Sequence, residues 1–151
     1  MDSNEINLLA KSLRINSFLG VFAADELNTL KEVHYGVLIC NTDPSDKIGK
    51  HWIGLCLRKT EVIYFDSLNS KFHESKYIKS FLKKSKKNLL RNDIQIQPYD
   101  SDKCGIHSLV FCYILSEKSN KTAFTNFLST FRSHKLPMRE QLSLNYFLLI
   151  A

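Results

Sequence analysis

The chain has no Cys-x-x-Cys pair. Its four cysteines, Cys40, Cys56, Cys104 and Cys112, stand far apart. That excludes a zinc ribbon, whose ligands come in close pairs. No apolar run approaches the ~18 residues a membrane helix needs. The longest, Leu109 to Leu115 and Tyr146 to Ala151, are core-length. The opening Met1-Asp2-Ser3-Asn4-Glu5 is acidic and polar, without the basic start and apolar stretch of a signal peptide. The expectation is a protein that is not secreted and has no membrane partner. Its cysteines are then free thiols rather than a disulfide framework. The 151 residues hold three prolines and five glycines, with no Gly/Ser linker, repeat or low-complexity tract. One domain, 1–151, is expected, and as a monomer.

What the chain does have is an ordinary globular composition: 44% hydrophobic and 24% charged residues. Lys and Arg number 21 against 15 Asp and Glu, a formal charge of +6. Such a surface favours polyanions through counterion release.

Residues 4–14 place Ile6, Leu9, Ala10 and Leu13 on one stripe, which predicts a helix with Ser3 as N-cap. Residues 18–22 read as extended, and Ala24 to Lys31 as one or two helical turns. Three strands are expected at Tyr35 to Cys40, His51 to Leu57 and Val62 to Asp66. The short polar link Arg58-Lys59-Thr60-Glu61 makes the last two a hairpin. Residues 72–90 read as a helix with Ile78, Phe81, Leu82 and Leu89 inward, and Ile94 to Pro98 as a short strand. Helices are expected at 104–117, 122–131 and 139–150. Strands come early and helices late, so the class is α+β.

Cys104 opens a strongly apolar helix after the polar turn Pro98-Tyr99-Asp100-Ser101-Asp102-Lys103, with Asp102 or Ser101 as candidate cap. A thiol at a helix N-terminus meets partial positive charge, which stabilises a thiolate. The alternative is a small apolar residue starting a buried helix. His51 begins one hairpin strand and Asp66 ends the other, so both stand at the same end. A carboxylate there fixes the imidazole tautomer and favours the imidazolium that pairs with a thiolate. Gln97 lies seven residues before Cys104, where its amide could join the cysteine N–H as an oxyanion donor. A solvent-facing polar residue would read the same way. Cys40, Cys56 and Cys112 are expected to be buried thiols. His107 shares a helix face with Cys104, but no further pair with ligand spacing completes a metal site. His34, His73 and His134 carry no partner pattern. Between Lys76 and Arg91 the chain also carries Lys79, Lys83, Lys84, Lys86 and Lys87, and no acidic residue. This is either a solvated helix face or a DNA-binding one, centred on Lys83, Lys84, Lys86 and Lys87.

Taken together, Gly49-Lys50-His51-Trp52, Tyr64-Phe65-Asp66, Gln97-x6-Cys104-Gly105, Phe18-Leu19-Gly20 and Asn41-Thr42 resemble the adenovirus endopeptidase (adenain) family. They are more distantly similar to the SUMO-protease branch of the same cysteine-protease clan. The resemblance covers roughly residues 15–115. It implies a papain-like α+β fold, with a small mixed sheet packed on a central helix that carries the nucleophile. It also implies the roles: Cys104 nucleophile, His51 general base and acid, Asp66 orienting carboxylate, Gln97 oxyanion donor. Adenoviral enzymes usually have Glu where this chain has Asp66, whereas the SUMO-protease branch has Asp. Substrates would be viral or virus-like transposon precursor proteins, cut near glycine during virion maturation. The location would be the virion and the host nucleus or cytoplasm. The adenoviral enzymes take a peptide activator through a disulfide. The stretch from Lys87 to Gln95 offers no cysteine for it, while DNA stimulation stays open. No other cofactor is implied. The alternatives are a ubiquitin-like or SUMO-type isopeptidase, and a non-catalytic basic binding module on the same fold.

Overall fold

The computed structural model describes residues 1–30, 35–70, 75–117 and 121–151. Lys31, His34, His73 and the start of the helix expected at 72–90 lie outside them. Five strands form one mixed sheet in the order β1-β2-β3-β4-β5: β1 (Phe18–Phe22), β2 (Gly36–Asn41), β3 (Trp52–Leu57), β4 (Glu61–Phe65) and β5 (Asn88–Arg91). β2, β3 and β4 pair antiparallel; the outer strands β1 and β5 pair parallel to β2 and β4.

The central strands are apolar at nearly every position because both sheet faces are covered. Alternate residues serve opposite sides. Val37, Ile39, Cys56, Ile63 and Phe65 face a layer made by α1 (Ser3–Ser12), α3 (Cys104–Glu117) and α4 (Lys121–Arg132). Leu38, Cys40, Ile53, Leu55, Val62 and Tyr64 face a 3-10 helix (Ala24–Thr29) and α2 (Lys76–Ser85). The helix bearing Cys104 and the helix bearing the lysines therefore lie on opposite faces of the sheet. α5 (Leu136–Ile150) packs on α3.

α3 can lie close to β3 because residue 54 is glycine. A Cβ there would stand 2.5 Å from Phe111 Cδ1. Phe111 in turn stacks on Phe65 with centroids 4.9 Å apart, and Phe127 meets Phe65 edge-on at 5.5 Å. This cluster sets the depth of α3 against the strands that end beside the site.

Several expectations are corrected. The 72–90 helix stops at Ser85: Lys86 takes a left-handed φ of 54°, and the chain then turns into β5. The run between Lys76 and Arg91 is thus not one basic helix; Lys86, Lys87 and Arg91 follow it. Leu89 is 42% exposed rather than inward. Ile94 to Pro98 is not a strand. Its backbone is anchored instead by Ile96 and Gln97 N–H groups that both donate to Ser67 O. Asp2, not Ser3, caps α1, in a reciprocal box with Glu5. α5 starts at Leu136, ahead of the expected 139, because Pro137 is pre-set for a first helical turn.

Candidate active site

The hairpin of β3 and β4 brings His51 and Asp66 to one end of the sheet, as their positions in the sequence require. His51 immediately precedes β3, and its carbonyl still accepts from Thr42 N at 2.9 Å, continuing the ladder to β2. Asp66 immediately follows β4. His51 Nε2 lies 2.6 Å from Asp66 Oδ1. An ionised carboxylate only accepts, so Nε2 carries the proton and donates. The same Oδ1 accepts from Leu68 N at 2.9 Å, and Oδ2 from Ser70 N at 3.0 Å. The carboxylate is thus held by its own turn before the imidazole reaches it. Asn92, just past β5, grips the Asp66 backbone from both sides. Its Oδ1 accepts from Asp66 N at 2.9 Å, and its Nδ2 donates to Asp66 O at 2.6 Å.

Cys104 is the first residue of α3. Its thiol is hydrogen-bonded to the His51 side chain. With Nε2 committed to Asp66, Nδ1 is the nitrogen left for sulfur. Burial opposes charge on the His51 ring, but the hydrogen bonds from Asp66 and Cys104 outweigh it and raise the pKa to about 9. Burial also pushes the Cys104 thiol up. Hydrogen bonds from His51 and from the Trp52 and Gly105 backbone, together with the imidazolium charge, bring it net below the ordinary thiol value. The other three thiols move the opposite way. Burial lifts Cys56 to about 11, and raises Cys40 and Cys112 further. Of the four thiols, only that of Cys104 is shifted toward the thiolate.

Gln97 is 2% exposed, so it is not a solvent-facing residue. Ser67 Oγ donates to its Oε1 at 2.6 Å, and its Nε2 donates to Ser101 O at 2.6 Å. Since a backbone carbonyl only accepts, the orientation of the amide follows. Ser101 does not cap α3 through its first residue; its hydroxyl accepts from Lys103 N at 3.2 Å. Asp102 instead pairs with the Lys103 ammonium at 2.8 Å. His107, one turn after Cys104, turns away from it to Ser143 and Glu140 on α5.

Met1 packs over the start of α3. Trp52 Nε1 donates to Met1 O at 3.0 Å, which draws Met1 across the start of α3. A Cβ on Gly105 would meet Met1 Sδ at 3.0 Å and Trp52 Cδ1 at 3.5 Å. Met1 lines cavities on two sides: one of about 680 Å³ that reaches Asn41, Gly49 and Trp52, and one of about 500 Å³ that reaches Lys103, Gly105 and Ile106.

The lysines stand apart from this cluster. Lys83, Lys84 and Lys86 are exposed and Lys87 is half-buried, all on or just after α2. Asn92, Ser67 and Glu140 were not evident as site residues in the sequence. No spacing marks them, because each is brought in by a contact between residues far apart in the chain.

No protein-family model matches the chain, and no curated protein matches it. Solved structures do. A deletion variant of AvrA with IP6 and CoA superposes with a TM-score of 0.53 at 21% identity, over 83% of this chain and 50% of that one. The selenomethionine form of ASFV pS273R protease superposes with a TM-score of 0.51 at 16% identity, over 93% of this chain and 64% of that one. This chain therefore spans half the length of the first and under two-thirds of the second. Neither is an adenovirus endopeptidase. The fold shared with both is the papain-like α+β fold of ubiquitin-like proteases: a mixed sheet packed on a central helix.

Proposed function

We propose that the chain is a cysteine endopeptidase that works through Cys104, His51 and Asp66, with Gln97 in the oxyanion hole. The observation that carries this reading is the buried contact of His51 Nε2 with Asp66 Oδ1 at 2.6 Å, together with Cys104 as the first residue of α3; the pKa shifts agree with it. The thiol of Cys104 is lowered and the imidazole of His51 is raised to about 9, so the pair favours thiolate and imidazolium.

In this mechanism the Cys104 sulfur attacks the scissile carbonyl carbon. The carbonyl π electrons move onto oxygen, which accepts from a Gln97 Nε2–H and the Cys104 N–H. One Nε2 hydrogen is committed to Ser101 O, and the other is the donor used here. As the tetrahedral species collapses, the C–N bond breaks and His51 gives its Nδ1 proton to the leaving amine. A thioester remains. His51 then takes a proton from water, the hydroxide adds to the thioester, and the carboxylic product leaves with Cys104 regenerated. Throughout, Asp66 holds the imidazole through Nε2.

Cleavage near glycine is part of this proposal and rests on the sequence resemblance. The substrate class we assign is a precursor polypeptide of a virus or virus-like element, consistent with a protease among the similar folds. A second reading has one observation in its favour: the AvrA structure contains CoA. The same thioester chemistry would take an acyl group from an acyl-CoA. We also assign DNA to the exposed lysines of the α2 face. The test of the main reading is a panel of peptides with and without glycine at the cut, offered to wild type and Cys104→Ala. Cleavage by wild type only, at the glycine peptides, supports it. Acyl transfer from acetyl-CoA without peptide cleavage would replace it with the second reading.

A further inference from the structure

α3 and α5 are joined by a buried polar chain that the mechanism above does not use. His107 is fully buried, one turn beyond Cys104. Its Nε2 lies 3.1 Å from Glu140 Oε2, and its Nδ1 lies 2.8 Å from Ser143 Oγ. With Nε2–H donating to the carboxylate, a neutral ring must accept at Nδ1, so the Ser143 hydroxyl donates there. Burial lowers the His107 pKa against the pull of Glu140, which agrees with a neutral ring. Ser143 is 1% exposed and His107 is fully buried, so neither is open to a substrate, while Glu140 is only partly covered.

The chain continues toward the site. The same Glu140 Oε2 accepts from Ser101 Oγ at 2.6 Å. Ser101 is the residue whose carbonyl receives the Gln97 amide, and whose hydroxyl receives Lys103 N just ahead of Cys104. Every contact that sets Ser101 therefore bears on both the oxyanion donor and the start of α3.

We propose that Glu140 and His107 are positioning residues of the Cys104 site, acting through Ser101 to aim the Gln97 amide. This rests on Gln97 being the oxyanion donor of the proposed peptidase. His107 fixes Glu140 against the nucleophile's own helix, Glu140 fixes Ser101, and Ser101 fixes Gln97. None of these hydrogen bonds reaches the Cys104 thiol or the His51 ring, so the oxyanion donor can be displaced while the thiol keeps its reactivity.

The test uses full-length Glu140→Ala, Ser101→Ala and Glu140→Gln, alone and with Gln97→Ala. The first readout needs no substrate: hydrogen exchange of the Gln97 side-chain amide followed by NMR. It should be slow in wild type and fast in Glu140→Ala. The rate of Cys104 alkylation by iodoacetamide should stay at the wild-type value, because that reaction uses no oxyanion hole. With peptide, kcat should fall about 10- to 100-fold at constant KM, the usual cost of a small misplacement. Adding Gln97→Ala should then cost nothing more than Gln97→Ala alone. Ser101→Ala, which removes only a hydroxyl, should show the same pattern if Glu140→Ala folds poorly. Glu140→Gln keeps an acceptor for Ser101 and should recover most of the turnover. Unchanged Gln97 amide exchange in both Glu140→Ala and Ser101→Ala would overturn the proposal, as would multiplying effects in the double variants. If wild type cleaves no peptide, the peptidase reading fails, while the amide exchange still decides this one.

Discussion

His51 Nε2 and Asp66 Oδ1 meet at 2.6 Å although they flank different strands of the hairpin. Each lies one residue outside its strand, at the same end. Both are buried, so the charge of Asp66 acts on the ring with little screening by water.

This contact predicts the pH dependence. In the proposed mechanism the active form is a Cys104 thiolate beside a His51 imidazolium, so kcat/KM against pH should be bell-shaped. Its alkaline limb should fall near pH 9, where His51 loses its proton. The acid limb reports protonation of the lowered Cys104 thiol. In Asp66→Asn the charge that holds the proton on His51 is gone, so the alkaline limb should move to lower pH. Turnover should lie between wild type and Cys104→Ala. A limb that stays in place would separate Asp66 from the imidazole's chemistry.

Gln97→Ala should lower kcat by roughly 10²–10³-fold, the usual cost of an oxyanion donor. Steady-state kinetics on a glycine-containing peptide reads this directly. Retained turnover would mean that another group serves the oxyanion. The neighbouring Gln95 would then be the candidate: one Nε2 hydrogen goes to Gln97 O at 2.7 Å, and an amide has a second.

Gly54→Ala should destabilise the fold by about 1–3 kcal/mol, the common range for overpacking a filled core. The new Cβ meets Phe111, which is fully buried and stacked on Phe65. Denaturant unfolding should show a lowered midpoint, and Phe111→Leu in the same chain should return part of it. An unchanged midpoint would show that α3 can lift from β3 without cost.

The lysines of the α2 face should bind DNA without sequence preference and with steep salt dependence. Replacing Lys83, Lys84, Lys86 and Lys87 by Gln should flatten that dependence and leave cleavage of a short peptide intact, since α2 and α3 cover opposite sheet faces. Equal affinity of the quadruple variant at low salt would reduce the lysines to a solvated surface.

Much of this arrangement was legible in the residues. The polar link Arg58 to Glu61 announced the hairpin, and the hairpin alone puts His51 beside Asp66. The apolar run after Cys104 announced α3. The stretch 86–98 was not legible, for two physical reasons. Lys86 adopts a left-handed conformation that nothing in a lysine signals. Leu89 and Leu90 fit a helical stripe as well as they fit a parallel edge strand, and only pairing with Val62 and Ile63 decides it. That strand then delivers Asn92 to Asp66, so the clamp on Asp66 was hidden with it. The link from His107 to Glu140 was hidden likewise: it joins residues 33 positions apart across two helices.

The most direct test of the account is covalent labelling of the native chain at neutral pH with a glycine-containing peptide vinyl sulfone, followed by mass-spectrometric mapping. Cys104 should be the only thiol modified, and His51→Ala should slow its modification sharply. Modification first at Cys40, Cys56 or Cys112, or a Cys104 that reacts equally fast without His51, would contradict it.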